Sequence, residues 1–138
     1  MKHLILAAAL FVPTLFFPTR CLAEVRADNA WMRQLPPGVV TTAAYVDLTS
    51  TEPDRLVGAQ ADIAKRVEVH ETTMTDGVMS MRHIPQVELP KDVTVSLKPK
   101  SKHLMVMNMS RIPQKDEVIP ITLTFEKAGK VTVNFVVR

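Results

Sequence analysis

An all-β fold is what this sequence predicts, and three observations predict it. Short runs alternate apolar or β-branched residues with polar ones. The breaks between runs carry Pro, Gly, Asp and Ser, the residues that turn a chain. No stretch sustains the apolar period of a helix. Strands at such spacing make a sandwich or a barrel. With no repeat, linker or low-complexity tract to divide them, they form a single domain.

The runs follow in order. Residues 25–35 contain Trp31 and stop at Pro36-Pro37-Gly38. Residues 41–49 are rich in β-branched side chains and close at Ser50-Thr51-Glu52-Pro53. Residues 55–61 and 65–73 come next; in the latter Val67 and Val69 take one face, Glu68 and His70 the other. Thr75-Asp76-Gly77 signals a hairpin, because Asp-Gly accepts the positive φ angles of a two-residue turn. The chain returns over 78–84, so residue 75 should pair with 78, 72 with 81 and 70 with 83. Short strands at 87–89 and 93–97 lie between prolines 85, 90 and 99, followed by 103–109. Residues 118–126 and 131–137 close the chain as a hairpin around Ala128-Gly129, with Ile121, Leu123 and Phe125 alternating against Thr122 and Thr124.

The first residues read as an export signal instead of structure. Lys2 precedes an apolar run over 4–17 that Pro13 interrupts, and Cys21-Leu22-Ala23 supplies small residues for cleavage before Glu24. The run is shorter than the ~20 apolar residues that span a bilayer, so no stable membrane insertion is expected after cleavage. Cys21 would suit a lipoprotein, but Pro18-Thr19-Arg20 lacks the small apolar residues such a site needs. Residues 1–23 are therefore the expected signal peptide and 24–138 the mature domain. Removing 23 of 138 residues leaves 115, enough for one core. The single cysteine leaves with the signal, which excludes disulfides and thiol redox chemistry. Lys2 and Arg20 also leave, so 15 basic residues face 14 acids. No basic face of a nucleic-acid binder is visible.

Residues 70–109 hold six of the eight methionines and three of the four histidines. Thioether sulfur is a soft donor and imidazole a borderline one, a set that suits Cu(I) over hard cations. His103 and Met105 are two apart and leave the same face of a strand. The expected hairpin register sets His70 diagonal to Met81, within reach for long side chains. Two donor pairs could thus converge at one end of a sandwich.

The spacing His70, ten residues, Met81, twenty-one residues, His103, one residue, Met105 resembles the H-x10-M-x21-H-x-M signature of the periplasmic PCu(A)C copper chaperones. Ala30-Trp31, Pro36-Pro37-Gly38, Ala44-Tyr45, Val67-Glu68-Val69-His70, Gly77-Val78-Met79, His103-Leu104-Met105 and residues 120–127 extend the likeness across the mature chain. The resemblance implies a cupredoxin-like β-sandwich of Greek-key type that binds one Cu(I) ion per chain. It implies His70, Met81, His103 and Met105 as the ligands. The implied role is delivery to the dinuclear copper centre of a terminal (cytochrome c) oxidase, through its copper-bearing subunit or a thiol-bearing assembly factor. A monomer in the periplasm of a Gram-negative envelope is expected. Some family members add a His- and Met-rich tail; this sequence stops at Arg138, so no tail site is expected.

Neutral donors leave Cu(I) its full charge and offer little to activate water or oxygen, which favours carriage over catalysis. Affinity should weaken as the histidines take up protons near pH ~6.5. Met79 and His83 are accessory candidates, Met79 on the Met81 face and His83 opposite His70. Met107, Met109, Met32 and Trp31 are expected in the core, and Met74 at the surface. Glu68 and Glu71 read as solvated, with Glu71 the candidate to hold a ligand imidazole. A blue-copper protein would need a cysteine thiolate that the mature chain lacks. No nucleophile–base pair or paired carboxylates mark an enzyme. A passive copper buffer using the same site, and a structural β-domain with an incidental Met cluster, remain the alternatives.

Overall fold

The computed structural model describes Pro13, Leu15 and residues 22–138. The expected signal peptide, with Cys21, lies almost wholly outside the described residues. Ten strands follow: β1 (Val25–Met32), β2 (Thr42–Ser50), β3 (Asp54–Gln60), β4 (Ala64–Thr75), β5 (Val78–His83), β6 (Val87–Leu89), β7 (Val95–Leu97), β8 (Lys102–Met109), β9 (Val118–Phe125) and β10 (Gly129–Val137). Among the described residues there is no helix.

Strand order is β5-β4-β8-β2-β1-β10-β9-β3-β6, and a further β3–β4 pairing through Ala59 and Val67 closes the ring. All named pairs are antiparallel except β1–β10, joined at Trp31–Val136 and Met32–Val137. The second edge of β2 is shared, residues 42–44 with β8 and 46–48 with β7. β5 pairs with β4 alone and forms an outer edge, separated from β8 by β4.

Alternation decides which side chains enter the core. Ile119, Ile121, Leu123 and Phe125 of β9 meet Val133, Phe135 and Val137 of β10, and Ala44, Val46 and Leu48 face them from β2. In β8, Leu104 and Val106 point inward, which sends His103 and Met105 to the other face. The core orientation of β8 therefore sets the orientation of the expected ligands.

Turn chemistry accounts for the edges. Asp76 (φ 52°) and Gly77 (φ 77°) are both left-handed, the geometry of a type I′ turn that holds β4 and β5 in the expected register. The strand expected over 93–97 starts only at Val95. Asp92 is left-handed (φ 56°), and the Val93 N–H is taken in a turn by the Pro90 carbonyl at 3.3 Å. The first strand ends at Met32, three residues earlier than expected.

Two core assignments change. Trp31 is only half-buried and stacks on Tyr45 outside the main core, with ring centroids 4.6 Å apart. Met109 enters the core, whereas Met107 stays half-exposed with its sulfur 3.6 Å from Arg66 Nη2. Left-handed Asn108 (φ 52°) separates the two and breaks the simple alternation. Met32 is fully buried and Met74 exposed, as expected.

Carboxylates at the surface make stability acid-sensitive. Asn29 donates to Asp47 at 3.0 Å and, with Ser96 and Lys98, holds that carboxyl below its ordinary 3.8. Arg111 and the Gln114 N–H hold Glu117 below its ordinary 4.5. Depressed folded values mean the unfolded chain binds protons first. Their stabilisation is therefore complete above those ordinary values and is lost as pH falls through the depressed ones. Thermal melts should show Tm steady from neutral pH to about 5 and falling below about 4, with Asp47→Asn flattening the fall. A melt unchanged down to about pH 2 would contradict this.

Candidate metal centre

The hairpin and the β4–β8 pairing bring the expected donors onto one face. His70 in β4 pairs with His83 of β5 on one side and His103 of β8 on the other. The His70 ring centroid lies 6.0 Å from that of His83 and 6.2 Å from that of His103. Tyr45 continues the row 6.4 Å beyond His103, and Trp31 ends it. Met81 sits opposite Thr72, diagonal to His70, and Met105 sits opposite Glu68.

Met79, Met81, His103 and Met105 line a cleft of about 390 Å³ with Arg33, Tyr45, Thr72, Pro99 and Lys100 among its other walls. His70 does not line it; its ring stands between those of His83 and His103. Burial grades the donors from inside to outside. His103 is only 3% exposed, Met105 is half-buried, and Met81 on the outermost strand is 60% exposed. The inner half is held by packing. The outer half is open to solvent.

Hydrogen bonds prepare the two imidazoles. The Ser101 carbonyl can only accept, so at 2.9 Å it accepts a hydrogen bond from the His103 Nδ1–H, which leaves the Nε2 lone pair for a metal. Glu68 Oε2 lies 3.1 Å from His70 Nε2, and this hydrogen bond is the main cause holding the Glu68 carboxyl below its ordinary value. An ionised carboxylate only accepts, so His70 Nε2 donates and Nδ1 keeps the free lone pair.

Glu68 thus does what was expected of Glu71. Alternation points Glu71 to the opposite face, where it meets Arg82 at 3.0 Å. The signal for Glu68 was present in the sequence, since Glu68 and His70 are two apart on one strand. Tyr45 and Arg33 carried no such signal, because the β2–β8 pairing brings Tyr45 here and the β1–β2 pairing brings Arg33. Arg33 lies over the Tyr45 ring, 5.9 Å from its centroid. Met79 lines the cleft, while His83 is exposed beside His70.

Among the described residues, no three of His, Cys, Asp and Glu stand at metal-holding spacing. A metal held here would depend on methionine sulfur, which selects for soft ions. The four expected ligands add no negative charge, so such an ion would keep its own.

Known proteins share this architecture. A copper-bound PCuAC domain from PmoF2 superposes with a TM-score of 0.71 at 23% identity, over 85% of this chain and 94% of that one. The solution structure of apo-DR1885 from Deinococcus radiodurans matches with a TM-score of 0.63 at 28% identity, over 100% of this chain and 96% of that one. Its CuI form matches with a TM-score of 0.64, also at 28% identity, over 86% and 78% of the two chains. The single all-β domain is therefore the cupredoxin-like fold of PCuAC domains. The curated "Putative lipoprotein Lxx21020" of Leifsonia xyli subsp. xyli is 28% identical over 104 residues, which are 73% of this chain. The chain spans 61% of that relative's length. The family profile described as "Putative lipoprotein LpqE-like" matches residues 25–137, all ten strands and the whole cleft, and by that span the chain belongs to the LpqE-like family.

Proposed function

We propose that this protein is an exported Cu(I)-binding metallochaperone that carries one ion per chain on His70, Met81, His103 and Met105. The observation that carries the reading is the cleft shared by Met81, His103 and Met105, with the His70 ring 6.2 Å from that of His103. The copper-bound PmoF2 domain and CuI-DR1885 support copper as the cargo. The lipoprotein names of the family and of the Leifsonia protein support a place in the cell envelope. We place it in the periplasm as a monomer.

The donor gradient supports transfer. A carrier must hold copper firmly yet release it by ligand exchange, which needs one ligand that an incoming donor can displace. Met81, exposed on an edge strand, is that ligand, while buried His103 holds the ion until the exchange is complete. The recipient we propose is the copper-bearing subunit of a terminal oxidase or its thiol-bearing assembly factor. A passive copper buffer would use the same site without directed transfer.

Two measurements test the reading. Competition with a Cu(I) chelator should show one equivalent bound per chain, and a parent that takes up no copper would sink the reading. Mixed with the apo copper domain of an oxidase, the loaded protein should lose copper faster than it does to a chelator that waits for spontaneous dissociation. Equal rates would favour the buffer.

A further inference from the structure

The cleft beside the proposed copper ligands has an electrostatic character that copper binding does not use. Two formally charged side chains, Arg33 and Lys100, line it, both are basic, and no carboxylate does. Neither makes an ion pair among the described residues, although seven Lys or Arg pairs with carboxylates form elsewhere on them. Arg33 is also held in place. Its N–H donates to the Ala43 carbonyl at 3.0 Å, its carbonyl accepts from Thr42 Oγ1 at 2.7 Å, and its guanidinium lies over Tyr45. Tyr45 in turn stands next to His103 in the row of rings. An exposed cation one ring away from the proposed ligand His103 would repel the proposed cargo, and an anionic co-ligand would offset that repulsion.

We propose that the cleft is a co-ligand site for a small anionic thiol, a molecule carrying both a thiol and a carboxylate. This rests on the copper reading above. The thiol loses its proton to solvent, a sulfur–copper bond forms, and the exposed Met81 sulfur leaves the ion. The copper–thiolate unit is then neutral, and the remaining carboxylate meets Arg33 and Lys100. A volume of about 390 Å³ is at the small end for ligand cavities and fits such a molecule.

The test uses anaerobic, Cu(I)-loaded protein titrated calorimetrically with 3-mercaptopropionate and, in parallel, with the uncharged 2-mercaptoethanol. Gel filtration follows the copper. The carboxylated thiol should bind about five- to tenfold more tightly, the combined effect of two exposed ion pairs, with copper still eluting on the protein. Added salt should shrink the preference. The double substitution Arg33→Gln, Lys100→Gln should bring it close to unity while one Cu(I) still binds. Equal affinities in the parent, a preference untouched by the substitutions, or copper leaving with the thiol would each overturn the proposal. If the substitutions instead slow only protein-to-protein transfer, the cations serve an acidic partner and the proposal fails. A parent that binds one Cu(I) but shows no thiol preference removes this inference alone; one that binds none removes the copper reading and this inference with it.

Discussion

His103→Ala is expected to lower Cu(I) affinity by at least about a hundredfold, against about tenfold for Met81→Ala. Loss of an outer hydrogen-bond partner alone typically costs 10- to 100-fold in metal affinity, so loss of a ligand should cost no less. Burial separates the two residues. His103 is 3% exposed and its Nδ1 proton is committed to Ser101, so the ring is already oriented before an ion arrives. Met81 is 60% exposed, and ordering its flexible chain on copper costs roughly 1–2 kcal/mol of rotamer freedom. Part of what its sulfur contributes is offset by that ordering. Chelator competition on both variants checks the ranking, with thermal melts confirming that His103→Ala still folds. A His103 variant that keeps parental affinity would remove the buried half of the site from the proposal.

Asp54→Ala should destabilise the domain by about 3 kcal/mol, lowering Tm by roughly 10 °C. Asp54 is 5% exposed and is not among the residues that line the candidate cleft. Its Oδ1 accepts the Arg55 and Lys127 N–H groups, both at 2.8 Å, and its Oδ2 accepts that of Ala128 at 2.9 Å. The side chain therefore ties the start of β3 to the turn between β9 and β10. Alanine would leave three part-buried backbone donors without their carboxylate, and a donor left unpaired away from water costs more than its hydrogen bond contributes. Copper stoichiometry should stay unchanged. A melt within about 2 °C of the parent would show that water replaces the carboxylate at no cost.

Much of the fold was legible because its signals are local. Asp76-Gly77 dictates a type I′ turn, the turn dictates the β4–β5 register, and the register puts His83 opposite His70 and Met81 on the diagonal. Alternation in 118–126 and 131–137 likewise exposed the closing hairpin, whose Gly129 is left-handed (φ 76°). Exceptions to alternation were not legible. The left-handed turn at Asn108, which separates half-exposed Met107 from core Met109, is a single backbone angle that neighbouring residue types do not dictate.

At the candidate metal centre, the kind of donors and their order follow from residue order alone. Clustered methionines and histidines without cysteine define a soft, neutral set, and His103 and Met105 two apart must share a face of any strand. Folding settles which of them is buried, which is exposed and what surrounds them. Pairing of β8 between β4 and β2 sets His103 between His70 and Tyr45, and that packing shields the histidine. Pairing of β1 with β2 brings Arg33, about seventy positions before His103, to the cleft wall. Strand pairing joins residues remote in sequence, and no local pattern records which strands will meet.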